Sequence, residues 1–100
     1  SSIFLAGDAG TTMYIVREGA VDIRVDEDLL EKVGPGGLFG EMTLVDDGPR
    51  SASAFAASEC ELIPIDRRRF LYLVQETPTF ALEVMRVFAD RLRRMNDRFG

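Results

Sequence analysis

A chain of 100 residues, 46% hydrophobic and 29% charged, has the size and texture of one globular domain with one core. With no histidine and one cysteine, Cys60, it excludes histidine metal sites, Ser-His-Asp and Cys-His catalysis and any internal disulfide, which fits a reducing cytoplasm. A net charge of -5 opposes general attraction to nucleic acid or anionic membrane, and no apolar run approaches the ~20 residues of a membrane span.

Residues 13–25, MYIVREGAVDIRV, read as two strands joined at Glu18-Gly19 by a tight hairpin turn. In the second, Val21, Ile23 and Val25 share one face while Asp22 and Arg24 share the other, the period of a half-buried strand. An acidic turn follows, then a short strand around Leu29–Val33, and Gly34-Pro35-Gly36-Gly37 forbids regular structure for four residues. Ser51–Ala57 and Glu61–Ile65 are two further strands. Five or six short strands with closely spaced turn signals point to a compact antiparallel sandwich or roll, an α+β fold once the C-terminal helices are added.

From residue 66 the pattern is helical. Asp66 is placed to cap a helix that starts with Arg67–Arg69 and carries an apolar face of Phe70, Leu71, Leu73 and Val74. The three arginines stand at the unfavourable end of the helix dipole; they and Arg91, Arg93 and Arg94 read as solvated surface, with a partner contact as the alternative. Thr77-Pro78 restarts the chain, with proline suited to a first helical position. Ala81, Met85, Phe88, Leu92, Met95 and Phe99 then fall at spacings of 4, 3, 4, 3, 4, a heptad seam. That seam either packs on its own domain or pairs with a second copy through helix 79–99, and its length favours the dimer.

The chemistry concentrates in residues 39–53, FGEMTLVDDGPRSAS. Gly40 lets the backbone bend and approach a ligand, and Glu41–Leu44 is long enough for one helical turn whose free N–H groups suit an anion. Arg50 adds a planar, permanently charged fork and Ser51 a hydroxyl, both suited to phosphate. Glu41 would repel the same anion unless the ligand offers it a hydroxyl, as a ribose phosphate does. A plain Glu41–Arg50 ion pair is the competing explanation of these two residues.

The pattern F-G-E-x-x-L…P-R-S-A resembles the phosphate-binding cassette of cyclic nucleotide-binding domains, as found in the catabolite activator protein and the protein kinase A regulatory subunit. IFLAGDAGTTMYIVREGAVDI, residues 3–23, is similar to that family's entry turn and hairpin, and ELIPIDRRRFLYLV, residues 61–74, to its last strand and following helix. The resemblance covers essentially residues 1–100 and implies an eight-stranded antiparallel β-roll of the jelly-roll kind, about 1–65, with a short cassette helix and C-terminal helices about 66–99. It implies cAMP or cGMP as regulatory ligand and no metal. Glu41 would meet the ribose 2′-hydroxyl, and Arg50 the cyclic phosphate, helped by Ser51, Ala52 and the backbone near Phe39, Gly40 and Met42. Ile23 and Val33 would line the purine side of the roll.

The family's C-helix carries small hydroxyl residues in the catabolite activator protein, whereas this sequence offers Met95, which packs, and Asn96, which suits a purine edge. Ser51, where cGMP-responsive relatives more often have threonine, leans towards cAMP. The family pattern also places a strand and a helical segment before the entry turn, so this chain is expected to lack them. These 100 residues contain no helix-turn-helix after the last helix, so direct binding of nucleic acid by this segment is not expected, and without a long apolar run neither is its insertion into membrane. The expectation is a sensing module, not an enzyme: a jelly-roll metalloenzyme would need histidines, and cyclic phosphate hydrolysis an activated water that Glu41 and Arg50 do not provide. An interaction module with the same fold and no ligand is the alternative.

Overall fold

The computed structural model describes residues 2–43 and 48–99, apart from the side chains of Met95, Arg98 and Phe99. The chain divides into two compact units, the first running to Arg67 and the second starting at Arg68.

Among the described residues the first unit has seven strands: β1 (Ser2–Phe4), β2 (Met13–Glu18), β3 (Val21–Val25), β4 (Asp28–Val33), β5 (Leu38–Phe39), β6 (Ser53–Ala56) and β7 (Glu61–Ile65). All pair antiparallel, in a four-stranded sheet ordered β1-β6-β3-β4 and a three-stranded sheet ordered β5-β2-β7. The resemblance implies eight strands; seven lie among the described residues. β1 and β5, of three and two residues, have no period of their own to announce them.

The core lies between the sheets. Val21, Ile23, Val33 and Ala54 from one meet Val16 and Phe39 from the other. On β3 the expected alternation holds at Val21 and Ile23, both buried, while Val25 is half-exposed. Asp22 points the other way and pairs with Lys32 at 2.8 Å. A bulge on β4 opposite Ile23 and Arg24 absorbs one extra residue. Pro64 is tolerated because β7 is an edge strand.

The expected hairpin needs correction. Glu18-Gly19 is not a hairpin turn, because β2 and β3 belong to different sheets. The hairpin is instead at Asp26-Glu27, between β3 and β4, with Asp26 at φ 56°, a conformation aspartate tolerates better than most residues. At Gly19 the chain crosses from one sheet to the other, next to the β6–β7 connection that makes the reverse crossing. Ala57 N–H donates to the Ala20 carbonyl at 2.9 Å, and Ala20 N–H donates to Ser58 Oγ at 3.1 Å.

Gly19 has φ 84°, and a Cβ there would sit 2.2 Å from the Glu59 carbonyl oxygen and 2.8 Å from the Cys60 Cα. Backbone atoms of a packed corner have little room to yield. Gly19→Ala is therefore expected to lower stability by about 1–3 kcal/mol, from left-handed strain alone, with overlap adding to it. An unchanged urea midpoint would refute this account of the corner.

Helix α1 (Arg67–Glu76) starts one residue after Asp66, and α2 (Pro78–Phe99) starts on proline as expected. Thr77 separates them: its N–H donates to the Leu73 carbonyl at 2.8 Å and its carbonyl accepts from Phe80 N–H at 2.9 Å. Phe70 and Phe80 meet edge to face at 5.9 Å across that junction. Leu71 does not share the apolar face assigned to it: Phe70, Leu73 and Val74, spaced i, i+3, i+4, are half-buried, whereas Leu71 is 59% exposed. Along the seam of α2, Ala81 and Phe88 are half-buried but Met85 and Leu92 are exposed. The side chains of Met95 and Phe99, assigned to the same seam, lie outside the described residues.

Candidate functional site

Two glycine turns bring the charged residues together. The first, residues 5–8, closes on itself: Leu5 N–H donates to Asp8 Oδ2 at 2.9 Å and Asp8 N–H donates to the Leu5 carbonyl at 3.0 Å. It then grips the chain at Arg50, with Gly7 N–H donating to the Arg50 carbonyl and Arg50 N–H donating to the Asp8 carbonyl, both at 2.8 Å. This pair of bonds fixes where the Arg50 side chain leaves the backbone. The second turn is Gly40, at φ 77°, which bends the chain out of β5 and into a helical start at Met42 and Thr43. The expected helical turn continues to Leu44, which lies outside the described residues.

Arg50 is 6% exposed, and its charge is not left to water. Nη1 donates to the Gly40 carbonyl at 3.0 Å and to Thr43 Oγ1 at 3.3 Å; Nη2 donates to the Thr12 carbonyl at 2.7 Å. The Phe4 ring covers the guanidinium at 4.1 Å, a cation–π contact. Burial lowers the Arg50 pKa, and Tyr14, Asp8 and Glu41 act against that shift. Arginine keeps its proton under such a shift, so the site holds a permanent buried cation. Its Nε has no hydrogen-bond partner among the described residues.

Glu41 and Thr43 are also buried, at 2% and 1% exposed, so polar groups cluster here against an apolar core. Thr43 is tied on both sides: its Oγ1 donates to the Gly40 carbonyl at 3.3 Å while accepting from Arg50, and its carbonyl accepts from Arg67 Nη2 at 3.2 Å. Phe39 is fully buried, stacked on Tyr14 at 5.3 Å and tilted against Phe4 at 5.9 Å.

Of the residues assigned from sequence, the structure thus brings Gly40, Glu41 and Arg50 into one cluster. Ile23, Val33 and Phe39 belong to the buried core cluster, with Ala52 packed against it. Met42 is 41% exposed and Ser51 is exposed. Asn96 is exposed on α2, in the second unit. Sequence reading passed over Phe4, Gly10, Thr12, Thr43 and Arg67, which hold or crowd Arg50 and its neighbour. Four of the five act through a backbone atom, an absent side chain or a contact distant in sequence, none of which leaves a periodic signal. Arg67, read as solvated surface, is half-buried and bonded to Thr43.

Among the described residues there is no group of acidic, cysteine or histidine side chains that could hold a metal, and no helix long and apolar enough to cross a membrane. Comparison with known proteins gives a coherent result. The family model described as Cyclic nucleotide-binding domain matches residues 1–77. The Cyclic AMP receptor protein of Thermus thermophilus is 41% identical over 96 residues, covering 91% of this chain and 44% of the relative. A CRP-like cAMP-activated global transcriptional regulator of Mycobacterium tuberculosis is 35% identical over 101 residues, covering 96% and 45%. Among solved structures, the Catabolite Activator Protein of Thermus thermophilus superposes with a TM-score of 0.83 at 36% identity, over 99% of this chain and 49% of that one. The chain spans less than half the length of each of these relatives.

Proposed function

The chain belongs to the cyclic nucleotide-binding domain family, and from that premise we propose that it is a ligand-sensing module that takes cAMP in preference to cGMP. The observation that carries this reading is the buried Arg50 cation beside the buried Glu41 carboxylate, in the positions of the family's phosphate and ribose residues. Arg50 pairs with the cyclic phosphate, with the Ser51 hydroxyl and the amides around Gly40 and Met42 assisting. Glu41 accepts from the ribose 2′-hydroxyl. Ile23 and Val33 border the purine, with Phe39 and Ala52 backing the cassette and Asn96 offering its amide to the base edge. The preference for cAMP draws on the names of the relatives, a Cyclic AMP receptor protein and a cAMP-activated regulator, and on Ser51 after the arginine.

The module acts in the cytoplasm as a regulator's sensor, relaying occupancy through α2 to an attached effector or to a second copy across helix 79–99. Relay requires that the ligand favour one arrangement of the helix over another, since a ligand indifferent to it binds without signalling. The seam supports a dimer in so far as Met85 and Leu92 stand exposed on it. The segment itself neither reads nucleic acid nor enters a membrane in this reading, and it performs no catalysis. A second reading, an interaction module that needs no ligand, is favoured by one observation: Arg50 already has three protein acceptors.

Calorimetry with cAMP, cGMP and 2′-deoxy-cAMP separates them. The intact protein is expected to bind cAMP most tightly. Glu41→Gln keeps the shape of the buried side chain but loses the charge-assisted hydrogen bond, a cost of about 1.5–3 kcal/mol, or roughly one to two decades of affinity. That loss should appear with cAMP and largely vanish with 2′-deoxy-cAMP. Equal losses with both ligands would remove Glu41 from the ribose, and no binding of any cyclic nucleotide would favour the ligand-independent module.

A further inference from the structure

The hydrogen-bond pattern of Arg50 leaves a question that the cassette motif does not answer: which part of the guanidinium remains for an anion, and what keeps it open. A guanidinium has five N–H donors. Nη1 is committed to the Gly40 carbonyl and Thr43 Oγ1, and Nη2 to the Thr12 carbonyl. The buried Nε has no partner among the described residues. We infer that Gly10 is a positioning residue for Arg50: its bare Cα and the Phe4 ring form a slot that holds the guanidinium with Nη1 on protein acceptors and Nε reserved for an oxygen of the ligand phosphate. This rests on the cyclic nucleotide reading above.

A Cβ at Gly10 would lie 2.7 Å from both Nε and Nη2 and 3.0 Å from Cζ. Those distances are shorter than a carbon approaches nitrogen without displacing it. The added methyl would therefore crowd the side of the guanidinium that Nε and Nη2 share, where two parallel N–H bonds can meet one anion. Ordinarily the tip of an arginine would swing away at little cost. Here it cannot do so without giving up the bonds to Thr12 and Gly40 and the 4.1 Å contact with Phe4.

Gly10 is also the clean position at which to ask. Gly40 crowds the same side chain, with a built Cβ 2.8 Å from Nη1, but it has φ 77°, so any substitution there strains the backbone as well. Gly10 is not among the glycines with positive φ, so alanine fits its backbone and the effect of the methyl stands alone.

The test uses the full 100-residue chain, calorimetry with cAMP, and the arginine Nε–Hε resonances in 15N-correlated NMR, with Arg50→Lys assigning the signal. Gly10→Ala is expected to stay folded by circular dichroism with a lowered unfolding midpoint as Arg50 gives up contacts, to lower cAMP affinity at least tenfold, and to move the Arg50 Nε–Hε signal even without ligand. Phe4→Leu should remove the ring-current shift on that signal and weaken binding, and Phe4→Tyr should preserve both. A Gly10→Ala protein with unchanged affinity and an unchanged Arg50 signal would overturn the inference. If the unmodified chain bound no cyclic nucleotide, the functional reading would fall, yet the ligand-free Arg50 signal in Gly10→Ala would still decide whether the slot exists: displacement supports it, and no displacement refutes it.

Discussion

Arg50→Ala is expected to weaken cAMP binding by about 2–5 kcal/mol, roughly 1.5 to 3.5 decades in Kd. The size follows from burial. An exposed cation would add under about 1 kcal/mol to an ion pair, but Arg50 is 6% exposed and backed by the Phe4 ring, so a phosphate reaching it meets little screening water. Truncation also leaves the Thr12 carbonyl without the donor it has now and the Gly40 carbonyl with Thr43 Oγ1 in place of two donors, so some loss of stability accompanies the loss of binding. Arg50→Lys distinguishes the two effects. It keeps the charge but cannot span Gly40, Thr43 and Thr12 at once, so it should recover part of the affinity and none of the fork geometry. Calorimetry on protein verified as folded by circular dichroism gives the answer. Affinity unchanged in Arg50→Ala would remove the phosphate from this residue.

How much of the molecule is legible in its sequence depends on the range of the interaction concerned. Period-2 alternation put Val21 and Ile23 in the core, because both reach it from a strand long enough to show the period. Thr77-Pro78 marked a helix start because proline acts on its own backbone. Gly19 reads as a turn from sequence, but the strands on its two sides belong to different sheets. A positive-φ glycine reports that the chain bends; it carries no information on whether the next strand pairs with the last or joins another sheet. The cassette followed the same division. Gly40, Glu41 and Arg50 stand out by residue type within a dozen positions, and the family pattern suggests the roles proposed for them. Beyond the nearby Gly40 and Thr43, what holds Arg50 comes from residues 4, 10 and 12, some forty positions away, through a ring face, a missing Cβ and a carbonyl. Such partners are fixed by the fold, and only the fold displays them.

Phe39→Ala should cost about 3–5 kcal/mol, the range for truncating a fully buried aromatic side chain. Phe39 has 0% exposure and links both parts of the first unit. Through β5 it pairs with Tyr14, and its ring lies in the cluster that Val21, Ile23, Val33 and Ala54 enter from the opposite sheet. It also touches Phe4 at 5.9 Å, and Phe4 supports Arg50, so the cavity would open behind the charged cluster. Natural domains have about 5–15 kcal/mol of stability in all, so the variant should sit near the edge of folding. Phe39→Leu, which fills most of the space, should lose much less. Urea unfolding of both variants measures this, and a loss below about 1 kcal/mol for alanine would mean that the core closes without the ring. Ligand provides the link to function. Any ligand bound by the folded state alone at a hundred times its Kd adds about 2.7 kcal/mol. Saturating cAMP should therefore restore most of what Phe39→Ala loses, provided that Arg50 keeps its place once the ring behind Phe4 is gone. Failure of cAMP to stabilise Phe39→Ala while it stabilises Phe39→Leu would show that the ring stack, and not the cassette backbone alone, holds the cation in position to bind.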